Sequence, residues 1–145
     1  MALTTTNDKK AIFDVMINDP YLMQTMGVNR DYVLRQRDLP DDFNRSNIYI
    51  LIYERPEERT SNRIISRTVY QIDVLVENTP QMCVKADLIS EQIHNLLNRK
   101  QLSTYHTIEP LRNLGAITVS YATQYSRGEE FGVYNTIYGK IKKAT

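Results

Sequence analysis

Cys83, His94 and His106 are the side chains in this sequence best suited to nucleophilic or acid–base work. A thiol nucleophile needs a base within hydrogen-bond reach. The stretch that holds Cys83 and His94 has helical spacing, and eleven positions on a helix bring the two to nearly the same side. The rise of ~1.5 Å per residue still leaves them roughly 16 Å apart along the axis. They make no nucleophile–base pair within that helix, and His106 could approach Cys83 only through the tertiary fold. Zinc takes about four N, O or S ligands at defined spacings, and neither C-x-x-C nor H-x-x-x-H occurs. The five glycines are scattered, with no G-x-G-x-x-G or phosphate-loop pattern. The acid pairs Asp41-Asp42, Glu57-Glu58 and Glu129-Glu130 fall in expected loops or turns, where adjacent carboxylates are ordinarily surface charge. The expectation is a protein that is not an enzyme, with no catalytic, cofactor-binding or metal site.

A chain of 145 residues fits one domain, taken here as residues 1–145. At that length it can bury roughly 68–70% of its extended surface and needs no staples. The single cysteine excludes an internal disulfide framework and fits a reducing compartment. The first ten residues are polar and Thr-rich, and no stretch approaches the ~20 apolar residues of a membrane span. A soluble protein made in the cytoplasm is expected. Net charge is +1, with bases and acids interleaved as in Arg55-Pro56-Glu57-Glu58-Arg59, rather than gathered into the basic stripe of a nucleic-acid binder. Ten tyrosines stand against three phenylalanines and no tryptophan. Tyrosine suits surfaces wet in a monomer and buried in a complex, but it also favours half-exposed strands. Composition leaves both readings open.

The elements that would position these residues follow from periodicity and stop signals. A first helix is expected over Asp8–Ile17, with Ala11, Ile12, Val15 and Met16 on one face. Asp19-Pro20 and Gly27 bracket a short second helix, Pro20–Met26. Residues 28–46 are poorly patterned, and Asp38–Asp42 reads as an exposed connection. Strands are expected over Asn47–Tyr53 and about Arg63–Val76, joined as a hairpin through the polar segment Glu54–Asn62. The second strand would span roughly 46 Å, so the hairpin tip should project beyond the body. Thr79-Pro80 opens a helix that runs to about Asn98. Met82, Ala86, Ile89, Ile93, Leu96 and Leu97 would form its buried stripe, and Lys85, Ser90, Glu91, Gln92 and Asn95 its wet side. After a loop, Gln101–Leu114, a closing hairpin pairs Ala116–Tyr125 with Phe131–Lys142. Phe131, Val133, Ile137 and Ile141 would share one face of it.

The order α-α-β-β-α-β-β points to an α+β fold: a four-stranded, mainly antiparallel sheet with helices packed on one face. Tyr49, Leu51, Tyr53, Val69, Leu75, Tyr134 and Tyr138 would then lie on the uncovered face, a candidate contact surface.

The strand Thr68–Val76, running into the Thr-Pro-started helix that continues to Asn98, resembles the strand–helix unit of tail-terminator (tail-completion) proteins of long-tailed bacteriophages. The leading helix, the charged-tip hairpin and the closing hairpin extend the resemblance from Lys9 onward, with no counterpart for residues 28–46. It implies a virion structural protein that caps the tail tube and joins tail to head. It further implies a self-associating ring of six copies, with tail-tube protein on one side and the head neck on the other. The virion tail or neck would be its location, after assembly in the host cytoplasm, with no membrane and no sequence-specific nucleic acid among its partners. Two alternatives stand beside it: a phage neck or head-completion protein, and a cytoplasmic adaptor that binds a peptide at a sheet edge. Subunit or partner contacts would fall on Tyr49, Tyr53, Tyr134 and Tyr138, and on the tip residues Arg55, Glu57, Glu58, Arg59 and Arg63. For the tip, a merely solvated loop is the competing reading.

Overall fold

The computed structural model describes the backbone of residues 5–44, 46–54, 65–102, 106–108, 112–113 and 131–144. Side chains are described for residues 8–44, 46–54, 69–102, 107 and 108. The fold is α+β. Its elements are helix α1 (Thr5–Ile17), strands β1 (Val33–Leu34), β2 (Tyr49–Glu54) and β3 (Ile65–Glu77), helix α2 (Pro80–Leu97), and strands β4 (His106–Ile108), β5 (Arg112–Asn113) and β6 (Phe131–Ala144).

Local chemistry sets the helix ends. Thr79 caps α2: its Oγ1 accepts from Met82 N at 3.2 Å, and Pro80 takes the first helical position, where its missing N–H costs nothing. At the far end Arg99 adopts φ 61°, the left-handed conformation common just beyond a helix, and Lys100 N donates to the Leu97 carbonyl at 2.9 Å. On α1, Ile12 and Met16 are buried, and Lys10 pairs with Asp14 one turn on at 3.0 Å.

The expected second helix is instead a single π-helical turn, Tyr21–Thr25. Met26 N donates to the Tyr21 carbonyl at 2.8 Å, the wide i→i+5 closure, while Asp19 Oδ2 accepts from Leu22 N at 3.0 Å. So short a segment cannot recover the cost of nucleating a regular helix, and it is held by burying Leu22. Gly27 ends it at φ +68°, as its position foretold.

Among the described residues the sheet is mixed and six-stranded, in the order β1-β2-β3-β6-β4, with β5 also paired to β6. This corrects the expected four-stranded, mainly antiparallel sheet in two places. β1 pairs parallel to β2 (Val33↔Ile50, Leu34↔Leu51), so the unpatterned stretch before β2 contributes an edge strand. β4 and β5 lie in the expected loop Gln101–Leu114 and pair antiparallel with β6 (Thr107↔Lys142, Arg112↔Tyr138). Two- and three-residue strands are too short to show alternation, which is why periodicity passes over them. The expected strand Ala116–Tyr125 lies outside the described residues.

The pairing of β2 with β3 and the period-2 alternation of both follow expectation, in register Ile50↔Val74 and Ile52↔Ile72. Those residues, with Ile48, Tyr70 and Val76, meet Ile12, Met16, Leu22, Ala86, Ile89, Ile93 and Leu97 in the main core. Helices α1 and α2 therefore cover one face of the sheet. β3 and β6 pair antiparallel from Ile65↔Ala144 to Glu77↔Phe131, with a register shift between Val74 and Leu75. The shift breaks the expected common face of the last strand. Ile137 aligns with Ile72 but Val133 aligns with Leu75, and those two belong to opposite faces of β3. One extra residue in a strand is enough to exchange the faces beyond it.

Candidate functional site

The second sheet face, expected to be open, is covered where it is most apolar. Tyr49, Leu51 and Leu75 are each no more than 2% exposed and form a second core with Leu39. Val69 is buried as well. Residues 32–43 supply the cover: Leu39 is 3% exposed, and Tyr32, Leu34 and Phe43 pack against the cluster. The segment is anchored at its start by β1 and by Asn29, whose Oδ1 accepts from Asp31 N at 2.9 Å. Nearer its end, Asn44 N donates to the Tyr49 hydroxyl at 3.0 Å. The rings of Tyr32 and Tyr49 meet tilted, with centroids 5.0 Å apart, within the range of favourable aromatic pairs.

Tyr49 is thus a core residue, and the expectation that it lies on an exposed contact surface is overturned. Cover by its own chain removes this apolar face from water in the single subunit, a gain of about 25 cal/mol per Å² of apolar surface buried. Tyr53, four residues on, is half-buried, and its hydroxyl donates to Asp73 Oδ2 at 2.6 Å. Gln71 Nε2 donates to the other oxygen, Asp73 Oδ1, at 2.8 Å. Asp73 is 2% exposed, so the carboxylate is buried with a donor on each oxygen. This end of the second face is a hydrogen-bonded polar cluster rather than a bare apolar one.

Of the remaining expected contact residues, Tyr138 stands opposite Gln71 in the β3–β6 ladder. Tyr134 falls at the register shift, between the partners of Val74 and Leu75. Their side chains lie outside the described residues, as do Arg55, Glu57, Glu58, Arg59 and Arg63 altogether. Glu54, at the root of that segment, is described: it pairs with Tyr70 and faces Lys9 Nζ at 3.7 Å.

The apolar surface that the described residues do expose is on α2. Val84 is 61% and Leu88 41% exposed, one helical turn apart on the side away from the sheet. Their i, i+4 spacing opposite the buried stripe is readable in the sequence, although the wet side is assigned there only through Lys85, Ser90, Glu91, Gln92 and Asn95. Ser90, expected on the wet side, is fully buried instead, and its Oγ has no hydrogen-bond partner among the described residues. At 100° per residue it falls beside Ala86 and Ile93 and inside the buried arc.

Cys83 is half-buried against the main core. His94 is half-buried, and its Nδ1 has no hydrogen-bond partner among the described residues. His106 opens β4 opposite Lys143. Among the described residues no group of three or more His, Cys, Asp or Glu is placed to hold a metal ion, and no helix is long and apolar enough to cross a membrane.

No family model matches the chain, and neither does any curated protein. Solved structures do: thirteen chains resemble it. One of them, designated only by a sequence code, superposes over 99% of this chain and 97% of its own length, with a TM-score of 0.56 and 13% identity. At that identity the likeness speaks for the fold alone, and it shows that the α+β arrangement recurs along essentially the full length of another protein.

Proposed function

We propose that this is a virion structural protein that caps a phage tail tube and joins tail to head, acting as a ring of identical subunits. The observation that carries the reading is the long antiparallel ribbon of β3 and β6. Its pairing runs from Glu77↔Phe131 to Ile65↔Ala144, interrupted only by the register shift between Val74 and Leu75. A long ribbon of this kind suits contact with a neighbouring subunit or with the tube beneath. Heterologous contacts of that kind close into a ring when the rotation between copies permits. The resemblance of the strand–helix unit to tail-terminator proteins supplies the specific role, and the order of α1, the β2–β3 hairpin, α2 and β6 is compatible with it.

Electron microscopy of the purified protein, alone and with tail tubes, tests the proposal. The expected result is rings at tube ends and elution at several times 16.9 kDa, alone or once tubes are present. A protein that stays at subunit mass and leaves tube ends bare would overturn it.

A further inference from the structure

We draw no further inference here: the strongest candidate, the exposed Val84–Leu88 pair on the outward face of α2, is an apolar patch for which nothing in the structure shows what covers it.

Discussion

The Tyr53 hydroxyl donates to Asp73 Oδ2 at 2.6 Å, linking β2 to β3 on the face of the sheet away from the helices. Asp73 is buried, so each donor on it offsets part of the cost of taking a carboxylate out of water. Tyr53→Phe should therefore destabilise the protein by about 2 kcal/mol, the usual range for a hydrogen bond to a charged group. Combining it with Asp73→Leu should cost less than the two single changes added together, because the second change removes the charge that the first left short of a donor. Urea unfolding of the three variants provides the measurement. Strictly additive losses would show that the two groups are not energetically coupled.

Leu39 lies in a stretch with neither helical nor strand pattern, yet it is 3% exposed over Tyr49, Leu51 and Leu75. Leu39→Ala should cost at least about 2 kcal/mol, as for a buried leucine in a core. A solvated connection would tolerate the change within about 0.5 kcal/mol. Tyr49→Asp should go further and unfold the protein, since it places an unpaired charge under that cover. Thermal melting read by circular dichroism separates this from a variant that stays folded and only associates less.

These two faces show where the sequence was legible. The alternation of Ile48, Ile50 and Ile52 with Tyr49 and Leu51, and the cap at Thr79-Pro80, are local features, and the structure has them as read. The cover over Tyr49 was not legible. Leu39 and Phe43 sit at irregular spacing, and what they cover is set by the parallel pairing of β1 with β2, a non-local event. The register shift at Val74/Leu75 is illegible for the same reason: a bulge is a property of two strands together. Of the expected contact residues, only Tyr49 and Tyr53 have described side chains, and the pattern that named them could not tell a face open to partners from one closed by its own chain.

Ser90 offers a change in the opposite direction. Its hydroxyl is fully buried on α2 without a hydrogen-bond partner among the described residues. Ser90→Ala removes an uncompensated polar group and substitutes the strongest helix former. Stability should rise by about 1 kcal/mol, read as a higher urea midpoint at unchanged slope. A loss of stability would mean that the hydroxyl is satisfied in solution.

Gly27 ends the π-helical turn at φ +68°, with open space where a Cβ would stand. Any cost of substitution there is therefore backbone conformation rather than collision. Gly27→Ala should destabilise by about 1 kcal/mol and Gly27→Asn by clearly less, because asparagine tolerates the left-handed region. Equal losses for the two would point to some cause other than φ.

The segment that joins β2 to β3 bears on the proposed role itself. It carries Arg55, Glu57, Glu58, Arg59 and Arg63, while Glu54 at its root is held in β2 opposite Tyr70 and faces Lys9. Its charges are mixed rather than uniformly basic, which suits contact with an adjacent subunit or the tail tube better than contact with passing nucleic acid. Replacing residues 56–63 with a short Gly-Ser turn leaves the described core residues in place, from Ile48, Ile50 and Ile52 to Ile72 and Val74. The trimmed protein should keep its circular dichroism spectrum and melt close to the parent. Supplied to an infection in place of the parent protein, it should leave unjoined heads and tails or overlong tails, counted by electron microscopy. A trimmed protein that is folded and still gives a normal yield of infectious particles would remove the segment from the joining function. Loss of particles together with loss of fold would instead place it in the structure of the domain, and point substitutions of Arg59 and Glu58 that preserve the melting temperature would then be needed to locate the contact.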